Sequence, residues 1–156
     1  RCRMVEEKFL IDSNSFMTPY RQYYAFDLVP TYWKELSKCM DTGKIVLLDF
    51  WASWCGPCMR EMPNVVKLYK ECKGKNFEIV GVSLDQKRDA WLNAVEKNKM
   101  KWIQVSDLKS WATAPVKLCN VSAVPYTVLV DPDGKVISLD LRGEELIKKI
   151  KEVLKK

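Results

Sequence analysis

The 156-residue chain has no histidine, and its six cysteines include only one pair spaced Cys-x-x-Cys. A structural zinc site draws four ligands from cysteine and histidine, so the single Cys55–Cys58 pair cannot complete one in the usual way. Covalent haem attachment needs a histidine directly after the second cysteine, and Met59 stands there. No apolar run approaches the roughly 20 residues that span a bilayer, so no integral membrane segment is expected in this chain. Internal repeats are absent, and no secretory signal is legible at the start. The charge of +6 lacks the basic cluster with interleaved aromatics that marks a nucleic-acid partner. Its lysines are scattered over helix faces and the C-terminal tail, as on a solvated surface.

What the chain does have is apolar mass. Hydrophobic residues make up 47% of it and there are six tryptophans, enough for one domain with a real core. The residues most loaded with chemistry are Asp49-Phe50-Trp51-Ala52-Ser53-Trp54-Cys55-Gly56-Pro57-Cys58. The apolar run Ile45 to Trp51 predicts a buried strand carrying a single carboxylate, Asp49. A helix is expected to begin at the cysteines. Cys55 then sits where unpaired N–H groups and the helix dipole favour a thiolate, and Cys58, one turn on, can close a disulfide with it. Gly56 permits a tight turn, and Pro57 suits an early helical position that needs no N–H donor.

Residues 1–28 give few signals: a short helix from Val5 to Leu10, a loop at Ser13-Asn14-Ser15, and Tyr20, Tyr23, Tyr24 and Phe26 expected to pack on the body of the domain, with a partner surface as the alternative. Pro30 to Met40 predicts a helix capped by Thr31, with Tyr32, Trp33, Leu36, Cys39 and Met40 on one stripe. Residues 1–43 are thus expected to form an extension packed on a domain spanning 44–156. After Cys58 the helix runs on through Pro63, which should kink it, with Val65, Leu68, Tyr69 and Cys72 inward until the Lys-Gly-Lys-Asn stop. Phe77 to Leu84 predicts a strand parallel to the first. Asp85 to Lys99 predicts a helix with Ala90, Trp91, Ala94 and Val95 inward, and Trp102 to Val105 a short strand. A short helix is expected over Ala114 to Asn120, then a strand from Tyr126 to Val130. Asp131-Pro132-Asp133-Gly134 reads as a hairpin turn into Lys135 to Leu139. A last helix from about Gly143 has Leu146, Ile147, Ile150, Val153 and Leu154 on its inner stripe. The sum is an α/β domain, a mixed central sheet with helices on both faces.

The run Asp49 to Cys58 resembles the active site of the thioredoxin superfamily. Pro63 matches its helix-kinking proline, and Val124-Pro125 its cis-proline facing the dithiol. Details are similar to the TlpA/ResA-like branch of bacterial thiol–disulfide oxidoreductases, including a central β-α insertion, over about residues 44 to 156. The resemblance implies a thioredoxin-like fold with a central mixed sheet flanked by helices, and a protein disulfide reductase. The Gly-Pro dipeptide between the cysteines is the pattern of reducing members, whereas strong oxidants carry a histidine there. Cytochrome c maturation is one task of the family. Disulfide-containing proteins are the expected substrates, with an upstream thiol reductant and no cofactor. The expected location is periplasmic or exported, with any membrane anchor supplied by a segment outside this chain.

The chemistry expected of these residues starts at Cys55, which attacks a substrate disulfide; Cys58 then releases the substrate by forming Cys55–Cys58. Asp49, desolvated in its strand, is the candidate acceptor for the Cys58 proton, and matches the buried aspartate of thioredoxins. Trp54 and Trp51 would wall the site. Trp54, Gly56, Pro57, Val124 and Pro125 form the expected substrate-binding set, with an extended peptide lying along the proline loop. Two other classes remain open at this stage. A peroxidase of peroxiredoxin type shares the fold but uses Thr-x-x-Cys, and Ala52 occupies that threonine position. A non-enzymatic binding domain of the same fold would have an inert dithiol. Cys2, Cys39, Cys72 and Cys119 could pair in three ways in an oxidising compartment, but Cys39 and Cys72 fall on core faces and Cys119 just before the proline loop, so free thiols are expected, with no essential structural disulfide among the four.

Overall fold

A computed structural model of the chain describes residues 43–132 and 136–155. The expected N-terminal helices and aromatic cluster, Cys2, Cys39, and the tip of the 131–134 hairpin turn lie outside these residues. So does the packing expected of residues 1–42.

The organising element is strand β1, Ile45–Trp51, every residue of which is buried. It lies in the middle of a five-stranded mixed sheet of order β3-β2-β1-β4-β5. The others are β2, Phe77–Ser83; β3, Ile103–Val105; β4, Tyr126–Val130; and β5, Val136–Leu139. Strands β1, β2 and β3 are parallel, β4 runs antiparallel to β1, and β5 runs antiparallel to β4. A strand covered on both faces reads as an unbroken apolar run, which is why Ile45 to Trp51 was legible without any alternation.

Among the described residues, four helices flank the sheet. Helix α1, Gly56–Cys72, buries Cys58, Met62, Val65, Leu68 and Cys72 at spacings of three and four, and contains Pro63. Its C-terminus unwinds where Gly74 and Asn76 take positive φ, as the Lys-Gly-Lys-Asn stop predicts. Helix α4, Gly143–Leu154, turns Leu146 and Ile150 into the core. Its stripe neighbours Ile147, Val153 and Leu154 are only half-buried against that core. Between β2 and β4 come α2, Arg88–Lys97, then β3, a 3-10 turn at Ser110–Ala112, and α3, Ala114–Leu118. This is the additional β-α material the resemblance implies, and it supplies the parallel edge strand β3.

The structure corrects the expectation for α2. That helix begins at Arg88, and Asp85 lies instead in the loop just after β2, buried and hydrogen-bonded by its neighbours. Ala90 is exposed, Trp91 and Val95 are half-buried, and Ala94 is the buried residue of the helix. A ten-residue helix covers less apolar surface than its sequence stripe suggests. The helix after the 3-10 turn is also shorter than expected, ending at Leu118 rather than Asn120.

Candidate redox site

Cys55 is the residue that caps α1. Its backbone is extended (φ −88°, ψ 105°), and its Sγ accepts the Cys58 backbone N–H at 3.1 Å. The Met59 N–H bonds the Cys55 carbonyl at 3.1 Å, so the helix closes directly around the first cysteine. The sulfur therefore sits where N–H groups point outward and stabilise negative charge. Cys55 and Cys58 are joined as a disulfide with Cα atoms 5.2 Å apart. Cys55 keeps 5% of its surface exposed and Cys58 none, so an incoming reagent can reach only the first sulfur. Gly56 and Pro57 lie on the exposed side of this first turn.

On the other side of the cysteine stands the 121–125 loop. The Val124–Pro125 peptide is cis, and the Val124 carbonyl oxygen lies 3.6 Å from Cys55 Sγ. Val124 is half-buried and Pro125 buried. Two segments 69 residues apart in sequence therefore meet at the disulfide, and the Val124 carbonyl can accept from a Cys55 thiol.

Asp49 lies inside the central strand and is 3% exposed. Its Oδ2 is buried without a hydrogen-bond partner. Burial, reinforced by repulsion from Glu61, pushes its carboxyl up to about 7 from 3.8. Glu61 is one helical turn beyond Cys58, so Asp49 faces the stretch of α1 that carries the inner cysteine. Glu61 is itself held by α4, whose Gly143 N–H donates to its Oε1 at 2.6 Å.

The loop from β1 into α1 is fixed by Asp85. Its two carboxylate oxygens each accept the Ser53 N–H at 3.1 Å; Oδ1 also accepts the Ser53 hydroxyl and Oδ2 the Ser83 hydroxyl at 2.6 Å. A second loop ends at the same point, because the Ser106 hydroxyl donates to the Ser83 carbonyl at 3.2 Å. Beyond it Asp107 accepts the Lys109 N–H and the Thr113 hydroxyl, bracketing the turn that carries Trp111.

Trp54 is 55% exposed and Trp111 41%, their rings 6.5 Å apart and tilted. Trp51, expected to wall the site, is instead fully buried, with its Nε1 donating to Gln104 Oε1 at 3.1 Å. The reason is strand alternation: Trp51 shares a face with Asp49, beneath α1, while Trp54 has left the strand. Sequence reasoning missed Glu61, Asp85, Gln104 and Trp111. Glu61 was findable as a carboxylate one turn past Cys58. The others come from segments 27 to 53 residues beyond Cys58, and nothing local announces them. Among the described residues, no group of three or more His, Cys, Asp or Glu side chains is placed to hold a metal ion. Nor is any helix among them long and apolar enough to cross a membrane.

A family model described as thioredoxin-like matches residues 43–136, and a second, a domain of unknown function, matches 9–51. The thiol-disulfide oxidoreductase ResA of Bacillus thuringiensis subsp. konkukian is 36% identical over 114 residues, 73% of this chain and 64% of that protein. The chain thus spans less than two thirds of the length of that curated relative. Among solved structures, a thiol-disulfide oxidoreductase from Bacteroides fragilis superposes with a TM-score of 0.68 at 38% identity, covering 71% of this chain and 82% of that one. The thioredoxin domain of a thiol-disulfide oxidoreductase from Bacteroides vulgatus gives 0.71 at 34% identity, covering 76% and 84%.

Proposed function

Since the chain belongs to the thioredoxin-like family, we propose that it is a thiol–disulfide oxidoreductase that reduces protein disulfides through Cys55 and Cys58. The observation that carries this reading is the asymmetry of the pair. Cys55 caps a helix, accepts an N–H and keeps an exposed edge, while Cys58 is sealed in the core near a carboxyl that titrates close to neutral pH. In the reduced protein the Cys55 thiolate attacks a substrate disulfide, forming a mixed disulfide and expelling one substrate thiolate. Cys58 then loses its proton to Asp49 and attacks Cys55 Sγ; the Cys55–substrate bond breaks and the second substrate sulfur leaves with the electron pair. The dithiol has become the disulfide, the substrate two thiols, and an upstream dithiol reductant must restore the starting state.

Trp54 and the Val124 carbonyl flank Cys55, so the substrate chain is expected to lie extended between them, with Gly56 and Pro57 exposed beneath it. Ala52 is fully buried and brings no hydroxyl toward Cys55, which favours the reductase over a peroxidase. Disulfides persist as substrates in oxidising compartments, which supports a periplasmic or exported location. Maturation of a c-type cytochrome, whose apoprotein presents a Cys-x-x-Cys disulfide, is the specific task we infer for it.

The test is to trap the intermediate. Cys58→Ala leaves the attacking sulfur but removes the releasing one, so covalent partners should accumulate as bands that vanish on reduction. They should also be absent from Cys55→Ala, Cys58→Ala. Bands surviving in that double variant would assign the nucleophile elsewhere, and no bands with Cys58→Ala alone would count against a reductase.

A further inference from the structure

One row of residues crosses the sheet beneath α1. Gln104 on β3 is in register with Gly81 on β2, Gly81 with Asp49 on β1, and Asp49 with Thr127 on β4. Residues paired in register project from the same face of a sheet. Gly81 has no side chain, and the Gln104 carboxamide lies in the space its Cβ would fill. Gln104 therefore reaches across β2 toward β1. Trp51 Nε1 can only donate, so the carboxamide oxygen must be the atom it meets at 3.1 Å. That assignment leaves Nε2, a donor, on the other edge of the amide.

Gln104 Nε2 is buried without a partner, and so is Asp49 Oδ2. One is a donor and the other an acceptor, on the same face, with the amide already lying one strand from Asp49. Strands are spaced about 4.8 Å apart, a gap closed by a small side-chain rotation or by one bridging water. No other member of the row serves Asp49. Gly81 has no side chain, and Thr127 spends its hydroxyl proton on the Leu141 carbonyl at 2.8 Å. From α1, Glu61 acts on Asp49 and brings negative charge. Buried polar groups are almost always satisfied, and a carboxylate gains most from an added donor.

We propose that Gln104 is a positioning residue for Asp49, its Nε2–H donating to Asp49 Oδ2, directly or through one water, whenever the carboxyl is ionised. The inference rests on the reading of Asp49 as acceptor of the Cys58 proton. A donor at this point favours the carboxylate, the form that can take the proton, and so opposes burial and Glu61. Without it Asp49 holds its proton to higher pH, and less of the base is present when Cys58 must be deprotonated.

The Asp49 carboxyl can be titrated by carbon-13 NMR in the reduced protein labelled at aspartate. Gln104→Leu, which keeps bulk but removes the amide, should raise the Asp49 midpoint by about one pH unit. It should also slow resolution of a Cys55 mixed disulfide about fivefold at pH 7, the fall in the ionised fraction that such a shift produces, with the deficit closing as pH rises. Gln104→Glu keeps an acceptor for Trp51 but has no donor when ionised, and should raise the midpoint as well. Trp51→Phe breaks the same tryptophan bond yet leaves the amide, and its midpoint should stay in place. An unmoved midpoint in both Gln104 variants, or an equal shift in Trp51→Phe, overturns the proposal. The titration needs no substrate. If the wild-type chain failed to reduce insulin disulfides, the reductase reading would fall while the midpoints still decided the role of Gln104.

Discussion

Asp85 holds Ser53 by both backbone and side chain: its two carboxylate oxygens share the Ser53 N–H at 3.1 Å, and Oδ1 also takes the hydroxyl. Thirty-two residues separate the partners, and the bond closes the loop that delivers Cys55 to the head of α1. Asp85→Ala removes an acceptor that is 1% exposed and leaves the Ser53 and Ser83 donors facing one another. The expected cost is about 1–3 kcal/mol, read as a lowered urea midpoint. Because the loop also positions Cys55, the proposed nucleophile, attack on a small disulfide should slow as well. Unchanged attack with lowered stability would restrict Asp85 to a structural part.

Asp49, the proposed acceptor of the Cys58 proton, links pH to stability with a definite sign. Its carboxyl ionises near 3.8 in the unfolded chain and at about 7 in the folded one. Below pH 4 both states are protonated and the site costs nothing on this account. Between pH 4 and 7 the unfolded chain ionises first, so stability falls, and above pH 7 the loss is constant. The upper limit of that loss is about 4 kcal/mol, from three pH units at 1.36 kcal/mol each. Asp49→Asn should therefore be more stable than the parent at pH 7.5 and nearly equal to it at pH 4, in thermal melts across that range. The same substitution should slow Cys58 resolution most near neutral pH and leave attack by Cys55 little changed. Rates flat from pH 6 to 9 would remove Asp49 from the proton path.

Trp54 and Trp111 place two exposed aromatic faces beside the disulfide, on loops pinned to one end of β2. An apolar or aromatic residue next to the substrate cysteine is expected to rest there. Trp111→Ala should raise the KM for a disulfide peptide carrying such a residue by about three- to tenfold, an aromatic contact of about 1 kcal/mol. Reduction of a small charged disulfide such as glutathione disulfide should be untouched. Equal losses on both substrates would mean that Trp111 supports the fold instead.

Gly81 earns its place through the side chain lying over it. In Gly81→Ala the new methyl would overlap the Gln104 carboxamide, which must swing away and abandon Trp51 Nε1. The expected destabilisation is about 1–3 kcal/mol, from a lost buried hydrogen bond and local strain. Adding Gln104→Ala should recover part of it by clearing the space. No recovery in the double variant would locate the strain elsewhere.

Much of the frame was legible because its signals are local. The strand bounds Ile45–Trp51 and Tyr126–Val130, the helix from the Cys-x-x-Cys pair to Cys72, and the helix from Gly143 were all expected from periodicity and stop residues. The misreading of Asp85 as a helix start came from local rules as well. The apolar stripe was extended back to Asp85, and only the fold reveals that Ser53 and Ser83 claim that carboxylate.

What the sequence alone determined is two cysteines a turn apart at a helix start, with a lone carboxylate in the apolar strand before them. Backbone geometry over four residues dictates those relations, whatever the rest of the chain does. What only the tertiary structure decided is the environment of those groups. The cis Val124–Pro125 peptide beside Cys55, the Gln104 amide across Gly81, the Asp85 clamp on Ser53 and the Trp54–Trp111 pair each join distant segments. They exist because strand pairing lays β2, β3 and β4 against β1 in one register. Pairing energy is shared along a whole strand, so no short stretch of residues announces which side chain will arrive opposite which.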